Sequence, residues 1–429
     1  MATMASTLPY TFPAAIEQDQ NTRPPMPLIT TIALAATMLL AVYLERLFGW
    51  RQALLFIVGT FAGVVLYHAS FGFTTSWRVA LSDRRSAGLR AQMVMLVLAS
   101  TAFVILLSLP QPVLGLTLQA YVAPLSLSVV VGAFLFGIGM QLAGGCASGT
   151  LYTAGSGNTR MVVTLAAFIL GALISTRHAL FWATVPSFGP VSLLNSLGPS
   201  GAVLATVVVC GGIAWGAARL ERARHGSVAP ITSGPSGGIS LLRGPWPLLW
   251  GAVGLVIVNV ATLVLAGRPW GITSALALWG AKLAQAVGID VSSWPYWAEQ
   301  TRAAALAIPV LADVTSVMDI GIMLGALTAA GIGGKFAPVW RVPFRSLLAA
   351  VLGGILLGYG ARIAFGCNIG AYFGGVASTS LHGWLWFVSA LAGNALGIQL
   401  RPWFGLIVER TPCAPTECGG ASRNSSSSC

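Results

Sequence analysis

Ten stretches of the chain are almost unbroken in apolar residues: 27–46, 52–71, 92–109, 123–144, 161–178, 200–219, 245–267, 315–334, 346–364 and 383–403. Each lies near the roughly 20 residues a helix needs to cross a bilayer, although several are short or interrupted by glycine. Polar residues collect between them. This pattern predicts an all-α, polytopic membrane protein with about ten transmembrane helices and the lipid bilayer as its solvent.

The polar segments carry a directional signal. Residues 78–90 hold Arg78, Arg84, Arg85 and Arg90 against Asp83, and residues 220–244 hold Arg222, Arg224 and Arg243 against Glu221. Residues 335–345 hold Lys335, Arg341 and Arg345 with no acid. Short basic loops stay cytoplasmic, which agrees with the span count and puts both termini inside. The segment "RPWGITSALALWGAKLAQAVGIDVSSWPYWAEQTR" at 268–302 then falls outside. Its tryptophans and Tyr296 suit a membrane interface, and a short amphipathic helix is expected there. The stretch "HGSVAPITSGPSGGISLLRGP" at 225–245 is rich in Gly, Ser and Pro and reads as a linker. The expected organisation is a polar tail at 1–26, a first membrane half at 27–219, a cytoplasmic linker at 220–244, a second half at 245–403 and a polar tail at 404–429. The first tail lacks the basic start, short apolar core and small-residue cleavage site of a signal peptide.

Composition narrows the functional classes. Of 429 residues, 56% are hydrophobic and 8% charged, against about 25% charged in soluble domains. The net charge of +12 resides in short loops rather than a basic domain, which argues against nucleic acid. Cys146, Cys210 and Cys367 lie in apolar sequence, and Cys413, Cys418 and Cys429 lie in a tail ending "SRNSSSSC". That distribution fits neither a disulfide framework nor a zinc site, and the tail reads as a disordered terminus. No metal or cofactor is expected.

Two glycine-rich breaks stand out: "LAGGCASGTLY" at 142–152 and "AFGCNIGAY" at 364–372. They repeat at an offset of 221 residues, since Gly137, Gly139, Gly145, Cys146 and Gly149 match Gly358, Gly360, Gly366, Cys367 and Gly370. By the expected topology the span leading into Cys146 runs inward and the span leading into Cys367 runs outward. That is the arrangement of inverted-topology halves, whose glycine-broken short helices meet near the midplane and line a substrate site. The repeat covers the cysteine motifs and the helices entering them; the span at 92–109 has no clear counterpart.

Backbone amides freed by such a break must face protein, water or a ligand, and at a helix N-terminus they favour anions. A neutral thiol adds a weak, polarisable donor. A small sulfur-containing anion suits this set better than a hard cation. Arg362 supplies a countercharge, Asn368 adjoins the second thiol, and Gln141 occupies the first-half position that matches Arg362. Cys210 reads as packing, and Gly132, Gly137, Gly354 and Gly358 as close-contact helix faces. Asp313, Asp319 and His68 read as interface residues and His382 as a helix-end residue. No buried carboxylate is evident, which leaves energy coupling open.

The stretches "GIGMQLAGGCASGTLYTAGSG" and "GYGARIAFGCNIGAYFGGVASTSLHGWLWF" resemble the YeeE/YedE family of bacterial inner-membrane proteins, also called the sulfur-transport domain family. The resemblance extends over most of 50–403, including "RPWGIT" at 268–273. It implies two inverted helical halves and thiosulfate uptake along a narrow path by transient hydrogen bonds to thiols, here Cys146 and Cys367. The family typically has a third cysteine where "HASFGFTTSWR" carries Gly72, so a relay of three thiols becomes at most two. The altered step suits thiosulfate, another sulfur species or a selenium species. A rival reading is a membrane thiol-disulfide electron carrier, which needs the two thiols within bridging distance. A membrane sulfurtransferase would need an activated thiolate, and no His or Lys lies locally to provide one. A cytoplasmic sulfurtransferase would be a sensible receiver of imported sulfur.

Overall fold

The apolar stretches fold as helices in a computed structural model that describes residues 24–232 and 241–410. Most of the N-terminal tail, the middle of the linker, and Cys413, Cys418 and Cys429 lie outside the described residues. The first half comprises α1 (Pro27–Phe48), α2 (Trp50–His68), α3 (Phe73–Asp83), α4 (Ala87–Leu107), α5 (Leu127–Ala143), α6 (Ala147–Gly155), α7 (Thr159–Arg177), the short α8 (Ala179–Ala183) and α9 (Leu193–His225). The second comprises α10 (Leu248–Ala266), α11 (Thr273–Ala286), α12 (Gln300–Ala307), α13 (Val314–Ile332), α14 (Phe344–Ile363), a π-helical turn at Asn368–Gly374, the single turn α15 (Gly375–Ala377) and α16 (Leu381–Leu400). Two short strands, β1 (Pro124–Ser126) and β2 (Ser187–Pro190), pair antiparallel.

Among the described residues, ten helices are long and apolar enough to cross a membrane, with α2–α3 and α5–α6 each counted as one. They correspond to the ten stretches expected from the sequence, and the chain is a multi-pass membrane protein. Three expectations about the segments between them need correction. Residues 78–90 are mostly helical: α3 runs to Asp83, Arg84 closes it in the left-handed conformation (φ 57°), and α4 starts at Ala87. The linker starts later than 220, because α9 continues to His225 and buries Glu221 against the amide and hydroxyl of Ser86. The helix expected at an interface within 268–302 exists as α11, yet most of it is buried against α7, α13 and α14.

The centre is built from four helices that exchange partners between halves. Helix α5 packs on α14 and α16, and α14 packs on α5 and α7. Glycine makes these approaches possible: a Cβ on Gly137 would overlap the carbonyl of Ala390 in α16, and one on Gly358 would overlap the carbonyl of Phe168 in α7. The close-contact role expected of these glycines is therefore met, with backbones approaching too closely for any side chain. Around this contact an aromatic cluster fills the core. Tyr372 stacks on Trp386 and Phe387 at 6.3 and 5.0 Å between ring centres, and Trp77 meets all three edge-on or tilted.

Candidate functional site

Each cysteine motif ends one helix and begins another. Helix α5 closes on Gly144 in the left-handed conformation (φ +87°), Gly145 follows, and Cys146 adopts an extended backbone as the N-cap of α6. The Cys146 carbonyl receives the amide of Thr150 at 2.8 Å, and its Sγ receives the amide of Gly149 at 3.5 Å with Ser148 Oγ at 3.3 Å. A thiol thus occupies the place where Ser, Thr, Asp or Asn usually caps a helix. In the second half α14 ends at Ile363, Gly366 turns with φ +148°, and Cys367 is the extended N-cap of the π-helical turn. Its carbonyl receives the amides of Ala371 and Tyr372 at 2.9 and 3.2 Å. Both thiols are free and almost fully buried, and they share one core cluster. Helix α6 packs directly on the π-helical turn, so the two motifs meet inside the bundle.

Gly145 and Gly366 hold corresponding places, because a Cβ there would press on the first amides of the following helix, 3.2 Å from Thr150 N and 2.8 Å from Ala371 N. Gly149 and Gly370 differ from them. A Cβ on Gly149 would lie 3.5 Å from Cys146 Sγ, and one on Gly370 would meet only Gly271 Cα at 4.0 Å. These two glycines keep the space beside the thiols clear.

Two further breaks join this region. Gly72 is the N-cap of α3 and Ile272, after Gly271, the N-cap of α11. Phe73 lies edge-on to Tyr372 at 6.3 Å, and Gln141 at the end of α5 donates to Thr74 O at 3.2 Å and to Asn394 Oδ1 at 2.5 Å. Buried polar atoms without a hydrogen-bond partner gather at these breaks: Thr74 Oγ1, Thr150 Oγ1, Trp270 Nε1, both amide atoms of Asn368, and Arg362 Nε and Nη1. Unpaired buried donors are costly, and such a cluster is the signature of groups that meet a polar ligand.

A cavity of about 270 Å³ opens on one side, lined by Tyr121, Arg268, Gly271, Arg362, Gly366 and Gly370 among others. Arg268 Nη2 donates to Thr315 Oγ1 at 3.0 Å, and the Arg362 guanidinium lies 5.5 Å from the centre of the Tyr296 ring. The Tyr121 hydroxyl donates to Phe365 O, and burial pushes its pKa up to about 12, so it remains a donor at neutral pH. A second cavity of about 200 Å³ includes Asn158, Arg160, Arg341 and Pro343 in its wall. Arg160 donates to the carbonyls of Leu142, at 2.6 Å, and Ala143, the residues that lead into Gly144 and Cys146. The first cavity borders the Cys367 motif at Gly366 and Gly370, and Arg160 ties the second to the residues that lead into Cys146.

Residues 68–396 match the profile of the sulphur transport family. The chain belongs to that family. The thiosulfate transporter TsuA of Spirochaeta thermophila is 28% identical over 359 residues, which cover 79% of this chain and 95% of that protein. The probable transporter YedE of Escherichia coli is 29% identical over 169 residues, 38% of this chain and 40% of YedE. The thiosulfate transporter TsuA of Escherichia coli is 25% identical over 291 residues, 65% of this chain and 74% of its own length.

Of the residues expected at a site, Cys146, Cys367 and their flanking glycines come together, Arg362 lines the first cavity, and Asn368 lies buried beside Cys367. Gly72 caps a third short helix. Its φ of −103° is ordinary, and a Cβ there would meet nothing nearer than 3.8 Å, so glycine is not sterically required. The matching of Gln141 to Arg362 breaks down in role, since Gln141 bonds within the bundle while Arg362 faces a cavity. Asp319 is not an interface residue: it is fully buried, whereas Asp313 caps α13 by accepting from Ser316 N at 2.7 Å. His382, likewise fully buried, bonds Ser380 Oγ at 2.7 Å. Sequence reasoning missed Arg160 and Arg268, which are single arginines outside the glycine–cysteine motifs.

Proposed function

We propose that the chain takes up a small sulfur-containing anion, thiosulfate or a close relative, by stepwise hydrogen bonding to Cys367 and then Cys146. The observation that carries this reading is the pair of buried N-cap thiols between two arginine-bearing cavities. Arg268 and Arg362 draw the anion in by charge. At each break the helix N-terminus supplies amides and partial positive charge, and the thiol donates a soft hydrogen bond to sulfur or oxygen. The names of the two TsuA relatives favour thiosulfate among the candidate ions.

The halves are proposed to be related by inversion. Gly137 seats α5 on α16 and Gly358, 221 positions later, seats α14 on α7. Equivalent glycines thus make reciprocal contacts across the halves, as a two-fold axis in the membrane plane requires. With the basic loops read as cytoplasmic, both termini lie in the cytoplasm of a bacterial inner membrane. On that orientation the Arg268–Arg362 cavity faces outward and the Arg160–Arg341 cavity faces the cytoplasm, where a sulfurtransferase is the expected receiver.

The test is uptake of labelled thiosulfate into cells lacking their own thiosulfate uptake, with and without this chain. Uptake that depends on the chain and is competed by unlabelled thiosulfate supports the reading. A well-expressed, membrane-inserted chain that gives none rejects thiosulfate as the substrate.

A further inference from the structure

Asp319, in the second turn of α13, is enclosed by the bundle with no exposed surface, and neither carboxylate oxygen has a hydrogen-bond partner. Its place on α13 is specific. Residues three and four apart share a helix face. Thr315 receives Arg268 from the outward cavity, Ser316 receives Trp279 Nε1 of α11 at 2.9 Å, and Met323 backs against Gly155 of α6. Asp319 therefore sits on a stripe that runs from the arginine cavity toward the helix capped by Cys146.

An isolated carboxylate buried without a partner is strongly disfavoured in its ionised form. The ionisable groups around it do not supply a partner. Asp313 caps α13 and adds like charge, and Lys282 of α11 is held by Leu306 O at 2.9 Å. Helix α6 brings Tyr152 and the Cys146 thiol. Helix α2 brings Arg51, bonded to Leu114 O, with Tyr67 and His68 at its far end, and α1 brings the exposed Tyr43, Glu45 and Arg46.

We propose that Asp319 is the proton-binding group that couples anion uptake to proton influx. It holds a proton while the anion passes between the arginine cavity and Cys146, and releases it toward the cytoplasm as the anion leaves. An ionised carboxylate on this stripe would repel an anion passing between the arginine cavity and Cys146, so proton and anion favour each other's binding, and the coupling is reciprocal. This rests on the transport reading above. It also eases an energetic load, because a membrane potential of 100 mV, negative inside, opposes accumulation by about fiftyfold for each negative charge carried inward, and a proton carried with the anion cancels one such charge.

The full chain is reconstituted into liposomes, and exchange and net uptake of labelled thiosulfate are followed with and without a pH gradient, acid outside. In the parent, a gradient of about one pH unit is expected to raise accumulation about tenfold, because one proton moves with each anion. In Asp319→Asn, exchange continues at a rate that no longer depends on pH, and the gradient has no effect. An Asp319→Asn protein that follows the gradient as the parent does, or a parent indifferent to it, overturns the proposal. A parent that exchanges no thiosulfate at any pH refutes the substrate reading instead, and infrared spectroscopy then decides on Asp319. A protonated carboxylic-acid band at neutral pH that vanishes in Asp319→Asn supports the proton site, and its absence from the parent refutes it.

Discussion

Gly149→Ala separates folding from function at the first thiol. Position 149 lies in α6 with helical backbone, and the added methyl would stand 3.5 Å from Cys146 Sγ with nothing else within 4 Å. That is ordinary van der Waals contact, so the fold accommodates it. Ala is favoured over Gly in a helix interior by about 1 kcal/mol, so the variant should be as stable as the parent or slightly more so. The methyl covers the side of the thiol on which Gly149 N now approaches, and an anion loses its hydrogen bond there. Hydrogen bonds to charged groups contribute roughly 1.5–3 kcal/mol, so uptake at low substrate should fall about ten- to a hundredfold. Thermal unfolding in detergent and labelled uptake, with membrane levels matched, check both halves of the expectation. Gly145→Ala is the contrast: its methyl would lie 3.2 Å from Thr150 N and should lower stability. Parental uptake by a stable Gly149→Ala protein would refute the placement of the anion at this thiol.

Gly72→Cys should fold normally, because the site leaves room for a side chain, and it should raise uptake by adding a thiol to a third helix N-cap; transport rate and melting temperature check this. Arg362→Gln and Arg268→Gln should each raise the KM for uptake more than they lower kcat, and weaken the salt dependence of uptake, since both arginines act on a charged substrate before it reaches the thiols. Arg78 holds Glu409 through two hydrogen bonds of 2.6 and 2.7 Å. Burial raises the Glu409 carboxyl, but the hydrogen bonds and charge of Arg78 outweigh it and leave it below the usual carboxylate range. The pair therefore stabilises the fold above the unfolded-state pKa of about 4.3, and that contribution is lost as pH falls through the lower folded value. Melting temperature followed from pH 7 downward should show this loss in the parent and not in Glu409→Gln.

The spans were legible because each is long and apolar enough to satisfy a length criterion. The cysteine motifs were legible because glycine spacing repeats around them. Helix α3, of 11 residues, escaped because it is too short to cross a bilayer and begins at a glycine break; α11 was expected as a short helix, but its burial depends on neighbours distant in sequence. Arg160 and Arg268 were hidden for a different reason. Each is a single arginine distant in sequence from the cysteine it serves, and only packing shows that one guanidinium caps the end of α5 while the other lines a cavity. Asp319 looked like an interface residue because it lies within the first two turns of α13; its burial comes from α2, α6 and α11 closing over that face.

The central claim is that an anion passes between two buried thiols. It is tested most directly by labelled thiosulfate uptake in Cys146→Ala, Cys367→Ala and the double variant, each at parental membrane levels. Loss of uptake in both single variants, with the double no worse than either, is the predicted result. Uptake near the parental rate in the double variant would contradict the account.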